Sequence, residues 1–347
     1  MSDATISTAK VSVGADVEPA GSGDSVTAAE AIVHEVKVAN PLKVPYRTGS
    51  YLIYDEGGTD HFRSANALTE HPYRASGSHQ LDFDDFVSVL GKVVQQYAPS
   101  TIYLVDLREE THGFFDLFDG TKRFGVAVSW YADNDFGNVG QPLRWIMKDE
   151  AIRLAMIEEE TTQVFAIEED LDDNRDQQRM APRSYQEVAV SKAETEARVA
   201  ARLEAKVGCP VEYVRIPVTD HCAPSDAALD ELRTVANKVT PNDWVHFHCH
   251  GGDGRTTTFL AMYDMWCWKK ANYPGYLSLE GFACRQYKLA PHYCVNPFGC
   301  NCVPPPPPPS QPIAGWKRPL ALERWQKLQQ FHDNPLGQFR EKGRITS

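Results

Sequence analysis

The stretch His248-Cys249-His250-Gly251-Gly252-Asp253-Gly254-Arg255-Thr256 decides the fold. Before it, Trp244–Phe247 is a short apolar run that reads as a buried strand. After it, Thr257–Lys270 reads as a helix. A strand that breaks into a glycine-rich turn and then a helix turns its backbone N–H groups inward. It also aims the positive end of the helix at the centre of the turn, which makes a cradle for phosphate.

The side chains on this loop suit one chemistry. Cys249 and Arg255 stand in a C-x5-R spacing, so a curled loop brings the guanidinium to face the sulfur. The same positive field favours the thiolate, the nucleophilic form of cysteine. Gly252 and Gly254 permit the tight curl. Arg255 offers a planar fork that grips two phosphoryl oxygens, which Lys cannot do. Thr256 can donate to the sulfur and help it leave. His248 is placed with the catalytic residues, shaping the loop by hydrogen bonding and supporting the thiolate, and His250, Gly251, Gly252, Asp253 and Gly254 are assigned to contacting the bound phosphate. The plain alternative is a buried cysteine beside a glycine turn. A Walker A loop fits less well, because no Gly-Lys-Ser/Thr follows.

Working outward, Pro45–Asp55 reads as the first strand, Leu81–Tyr97 as an amphipathic helix and Thr101–Leu107 as a buried strand. Ala193–Val207 is a charged amphipathic helix, Val211–Pro217 a strand, Asp226–Val239 a helix and Leu320–His332 a last helix. This alternation implies an α/β fold, a mostly parallel sheet flanked by helices. Residues 1–44 are a polar leader and 336–347 a tail, leaving 45–335 as the catalytic domain. The acid-dense stretch Asp149–Arg179 is helical in its Glu-rich part, with Glu168–Asp176 a solvated loop. Pro304–Pro309 is an extended spacer or a site for a partner that the sequence does not identify.

The net charge of −12 argues against nucleic acid and anionic membrane as partners and requires any basic pocket to be local. No apolar run is long enough to span a bilayer, and no signal peptide is seen. Of the eight cysteines, Cys294, Cys300 and Cys302 with His292 fit no common zinc spacing. They are read as thiols, unpaired or opportunistically oxidised, and no metal or cofactor is expected.

Further segments carry a resemblance. Tyr73-Arg74-Ala75-Ser76-Gly77, Asp106-Leu107-Arg108-Glu109-Glu110-Thr111-His112-Gly113, Val128-Ser129-Trp130-Tyr131, Asn138-Val139-Gly140 and Tyr213–His221 occur in that order. With the cysteine loop, they make the chain similar to the protein-tyrosine-phosphatase-like phytases of the cysteine phosphatase superfamily, over about residues 45–335. The resemblance departs at His250, where the best-known phytases carry Glu, and at Asp253, an acid inside an anion loop.

The resemblance implies hydrolysis of phytate through a cysteinyl-phosphate, with Asp220 as general acid and His221 orienting it or touching substrate. It places Arg74 and Lys317 on substrate phosphates and Asp106 at the pocket border, where an internal ion pair is the equal alternative. It implies a small β-rich accessory region, here 45–72 with 114–145. It allows a cytosolic enzyme or an effector delivered into host cells. The rivals are a protein tyrosine phosphatase and a non-catalytic module that binds phosphoinositides or phosphoproteins.

Overall fold

The computed structural model describes residues 52–55, 57–130, 138–158, 162–166, 185–299 and 317–337. The leader, the start of the first expected strand, Glu168–Asp176, Cys300, Cys302, Pro304–Pro309 and most of the tail lie outside the described residues. In chain order the elements are β1 (Leu52–Tyr54), β2 (Arg63–Ser64), β3 (Ala75–Ser78), α1 (Phe83–Tyr97), β4 (Ile102–Arg108), β5 (His112–Phe118) and β6 (Lys122–Trp130). There follow α2 (Leu143–Glu158), β7 (Thr162–Ala166), β8 (Tyr185–Glu194), α3 (Glu196–Val207), β9 (Val211–Val218) and α4 (Asp226–Lys238). The chain closes with β10 (Trp244–His248), α5 (Gly254–Lys270), α6 (Leu279–Leu289) and α7 (Lys317–Asp333).

Five strands form the central sheet in the order β2-β3-β10-β4-β9, parallel except for the short edge strand β2. Alternation along β10 sends its side chains to two cores. Val245 and Phe247 pack with Leu229 and Leu232 of α4, Phe259 of α5, Phe282 of α6 and Leu328 of α7. Trp244 packs on the other face with Phe86 and Leu90 of α1 and Val199 and Leu203 of α3. Helices thus cover both faces, as the alternation of elements requires. In register, His248 stands opposite Ser78 on one side and Asp106 on the other, and Arg108 stands opposite Val218. The C-terminal ends of four strands are therefore level, the place where open α/β sheets build sites.

α5 begins at Gly254, three residues earlier than the expected Thr257. Arg255 and Thr256 consequently lie in its first turn, where backbone N–H groups have no partner within the helix.

The accessory region is a closed barrel, ordered β1-β6-β5-β8-β7. Phe115, Val126, Val128, Phe165 and Val188 fill it, and Leu154 and Ile157 of α2 close it. It draws β7 and β8 from outside the stretches 45–72 and 114–145, while β2 joins the central sheet instead. The difference has a local cause. β7 buries Phe165 as its one large apolar side chain, and β8 alternates weakly through a charged sequence. Ala193 and Glu194 end β8 and do not open α3, which starts behind Thr195 at the N-cap.

No helix among the described residues is long and apolar enough to cross a membrane. Of the two states allowed for Cys294, the structure holds the oxidised one: Cys284 and Cys294 each carry a disulfide.

Candidate active site

Cys249 follows the last residue of β10 and is 2% exposed. The Thr256 hydroxyl lies 3.1 Å from its sulfur and 3.2 Å from the Ser78 carbonyl, so its one proton has two acceptors. Gly252 has φ +73°, and a Cβ there would stand 2.5 Å from the His79 nitrogen, so glycine is required by both conformation and space. Gly254 presses against α7, where a Cβ would stand 2.7 Å from Arg324 Nη1. Gly251 has open space beside it, and its carbonyl accepts from the His61 ring.

A chain of alternating charges ties both ends of this loop to the barrel. His250 Nε2 is 3.1 Å from Asp55 Oδ1, just beyond β1. Arg108 donates to Asp55 Oδ2 at 2.7 Å, to Gln80 Oε1 at 3.0 Å and to Glu110 Oε1 at 3.0 Å, and also reaches the Ser129 hydroxyl. Glu110 accepts both Nη1 (2.6 Å) and Nη2 (2.8 Å) of Arg255. A bidentate pair fixes the plane of the guanidinium. Arg255 Nε remains buried with no hydrogen-bond partner among the described residues. A buried donor left unpaired is costly, so this N–H marks where an anion belongs. Burial works against the His250 proton, but Asp55 raises that imidazole above its ordinary value. Burial likewise opposes the Glu110 charge, and Arg255 with Arg108 holds that carboxyl below its ordinary range.

Asp220 sits on the turn after β9. Its Oδ1 is 3.2 Å from Arg255 Nη2 and its Oδ2 is 3.2 Å from His221 Nε2. His221 takes a left-handed φ of +61°, which turns its ring back over Asp220. Burial would raise the Asp220 carboxyl, but Arg255, with His221 and His250, holds it well below the usual carboxylate range. The neighbouring Thr219 hydroxyl donates to Glu109 Oε2 at 2.6 Å. Burial pushes the Glu109 carboxyl up to about 7, against the pull of that hydrogen bond.

The expected residues therefore divide. Cys249, His250 to Gly254, Arg255, Thr256, Asp220 and His221 surround one loop. His248 points away from it, with Nε2 2.9 Å from Glu196 Oε1 on the α1 and α3 face of the sheet. Asp106 is fully buried and engaged by Tyr213 (2.8 Å), Arg215 (3.2 Å) and the Arg108 backbone N–H (2.8 Å). Of its two readings the structure has the internal ion pair.

Arg74 requires a correction. It precedes β3, whose far end is the one level with the loop, and its Nη2 donates to the Tyr97 carbonyl at 2.6 Å. It does not border the pocket. Lys317 opens α7, seven residues before Arg324.

Two arginines that do reach the loop escaped the sequence reading. Arg63, on β2, donates from Nη2 to the Gly252 carbonyl (2.7 Å) and Thr257 Oγ1 (3.0 Å). Arg324 holds the His221 carbonyl and donates to the Tyr293 hydroxyl at 2.8 Å. Arg63 sits on a two-residue edge strand and gave no signal. Arg324 did give one, because it interrupts the apolar stripe Leu320, Leu328 and Phe331 at helical spacing.

Two clusters of metal-type side chains occur among the described residues: Asp106 with Glu196 and His248, and His61 with Asp253 and His292. The first is buried, and Arg215 and His112 already supply its counter-charges.

The chain is similar to known proteins. A family model for PTP-like phytases, described as inositol hexakisphosphate, matches residues 105–267. Effector protein hopD2 of Pseudomonas syringae pv. tomato is 35% identical over 130 residues, which is 36% of this chain and 24% of that protein. The tandemly repeated protein tyrosine phosphatase like phytase from Mitsuokella multacida is 26% identical with a TM-score of 0.64, covering 88% of this chain and 49% of that one. The PTP-like myo-inositol phosphatase from the same organism, in complex with myo-inositol-(1,3,4,5)-tetrakisphosphate, is 25% identical with a TM-score of 0.62, covering 89% and 51%. A PTP-like phytase from Bdellovibrio bacteriovorus is 26% identical with a TM-score of 0.53, covering 84% and 90%. The chain spans about a quarter of the effector and about half of each Mitsuokella chain.

Fold and loop together define the class: this is the architecture of the cysteine-dependent phosphatases. Within that class, residues 105–267 match the family model of the PTP-like phytases.

Proposed function

We propose that this protein hydrolyses phosphate monoesters of myo-inositol polyphosphates through a cysteinyl-phosphate. The observation that carries the reading is the convergence of Cys249, Arg255 and Asp220 at one loop, with Arg255 held bidentately by Glu110 and its Nε left for an anion. The phosphoryl group enters the cradle of loop N–H groups, and Arg255 Nε and Nη2 take two equatorial oxygens. Cys249 Sγ attacks phosphorus in line, an S–P bond forms and the ester P–O bond breaks. Asp220 protonates the departing alkoxide. Water, deprotonated by Asp220, then cleaves the S–P bond, and the Thr256 hydroxyl stabilises the leaving thiolate.

Asp220 faces Arg255, which holds its carboxyl ionised. A phosphate dianion that draws Arg255 Nη2 to itself removes that stabilisation and lets the carboxyl take up its proton. The substrate thus charges its own general acid.

The inositol class is supported by the family match and by the neighbour bound to an inositol tetrakisphosphate. Arg63 and Arg324, with His250 raised above its ordinary value by Asp55, put positive charge around the loop on a chain of net charge −12. The catalytic domain is read as 45–335. Likeness to an effector favours delivery into host cells over a resident cytosolic enzyme. The test is turnover of inositol hexakisphosphate and of a phosphotyrosine peptide side by side at low salt. Faster turnover of the inositol phosphate, with a gap that narrows as salt screens this charge, supports the reading. A peptide that is the better substrate at all salt concentrations replaces it with a protein tyrosine phosphatase.

A further inference from the structure

On the outer wall of the loop, three side chains converge that the reaction above does not use. His61 precedes β2, Asp253 is the last loop residue before α5, and His292 follows α6. One nitrogen from each ring and one Asp253 oxygen lie within 4.8 Å of one another. His292 Nε2 is 2.8 Å from Asp253 Oδ1, and the His61 and His292 rings lie with centroids 4.7 Å apart. His61 Nδ1 is 3.1 Å from the Gly251 carbonyl oxygen. A carbonyl only accepts, so Nδ1 donates there, and the neutral ring keeps Nε2 as an unprotonated base. A metal-ligating imidazole commonly donates its other N–H to a backbone carbonyl, and a hydrogen bond to Gly251 of that kind holds the His61 ring.

The surroundings also suit an ion. The side chains of Asp253 and His292 are 37% and 41% exposed, so the cluster opens to solvent. Arg63 is the cation beside it, and its Nη2 is committed to Gly252 and Thr257, not to Asp253. His79 meets the His61 ring edge-on at 5.2 Å.

The geometry points to a site for one divalent transition-metal ion of the zinc class, held by His61, Asp253 and His292 on the rim of the phosphate loop. Two imidazoles and a carboxylate suit Zn²⁺, Co²⁺ or Ni²⁺ better than Mg²⁺ or Ca²⁺, which take all-oxygen sets. Ligand atoms on a tetrahedral ion stand about 3.3 Å apart, given metal–ligand bonds of about 2.0–2.1 Å. Rotating partly exposed side chains by roughly 1.5 Å closes the set from its present spacing. Three protein ligands leave a position for water or a phosphate oxygen. The ion accounts for an acid inside an anion-binding loop: bound metal cancels the Asp253 charge and fastens the loop to two segments distant in sequence. The sequence spacing hides the site, because His61 and His292 reach Asp253 from opposite ends of the domain.

The test titrates the full chain carrying Cys249→Ser, which removes the reactive thiol as a competing ligand, with Co²⁺ and follows its visible d–d absorption. The site predicts one ion per chain, no thiolate charge-transfer band, displacement by Zn²⁺ but not by Mg²⁺, and at least about tenfold weaker binding in His61→Ala and in His292→Ala. His292 is exposed, so its variant keeps the fold, as circular dichroism would verify. The proposal is overturned if no ion binds at submillimolar Co²⁺, if both variants bind as well as the parent, or if the spectrum carries thiolate bands. The readout needs no turnover, so it stands or falls apart from the phosphatase reading.

Discussion

Glu109→Gln probes the electrostatics beside Asp220. Glu109 is 8% exposed, receives the Thr219 hydroxyl at 2.6 Å and is sequence-adjacent to the charged Glu110. Burial, with the Glu110 charge adding to it, lifts its carboxyl from an ordinary 4.5 to about 7. The folded value lies above the unfolded one, so the fold prefers the protonated form. The stability cost of ionisation is absent below pH 4.5, grows as pH rises through the interval and is complete above about pH 7. A shift of this size corresponds to about 3 kcal/mol, of which about 2–3 kcal/mol accrues between pH 5 and pH 8. Gln cannot ionise, yet its carbonyl can still accept from Thr219. Urea unfolding of both proteins at the two pH values measures the difference. The parent should lose about 2–3 kcal/mol relative to the variant on going to pH 8. Parallel stabilities at both pH values would refute the buried, charge-crowded position assigned to Glu109.

Three further outcomes follow from the same geometry. Asp220→Asn should lower kcat by roughly 10²–10⁴-fold on an inositol phosphate, and by less on an activated aryl phosphate whose leaving group hardly needs a proton; equal losses in a two-substrate assay would make Asp220 a positioning residue. Gly252→Ala should cost about 1–3 kcal/mol in thermal or urea unfolding and remove most activity, because it forces a side chain into a left-handed backbone 2.5 Å from His79; a fully active Gly252→Ala protein would contradict the loop conformation. Arg74→Ala should leave the ratio of inositol phosphate to aryl phosphate turnover unchanged, since its guanidinium binds the Tyr97 carbonyl at the other end of β3; a selective loss on the inositol phosphate would restore it to the pocket.

The parts of the site that are contiguous in sequence could be read directly. Strand, curl and helix around Cys249 are one local unit, and each residue type there has a local reason. Asp220 could be found only by resemblance, and Glu110 stood inside a quoted block with no role assigned to it, because what both do depends on β9 and β4 ending level with β10. The misplacement of Arg74 shows the limit of a motif: it names the strand but not which end of it meets the loop. In a sheet parallel to β10 the residues beside the loop are Ser78 to Gln80. His248 illustrates a related point. Adjacency to Cys249 at the end of a strand sends a side chain to the opposite face, and so His248 pairs with Glu196. Asp55 had no legible role at all, because its partners Arg108, Ser129 and His250 come together only when the barrel docks on the sheet. Arg324 was visible as a charge on an apolar stripe and shows that such interruptions merit reading as pocket residues.

The central claim is that Cys249 carries the phosphoryl group. Rapid acid quench of the protein during turnover of inositol hexakisphosphate, followed by mass spectrometry of its peptides, tests this most directly. The account predicts one phosphate on the peptide holding Cys249, none in the Cys249→Ser protein, and no phosphate release by that variant. Phosphate release by a correctly folded Cys249→Ser protein, or a phosphoryl group trapped on another residue, would contradict it.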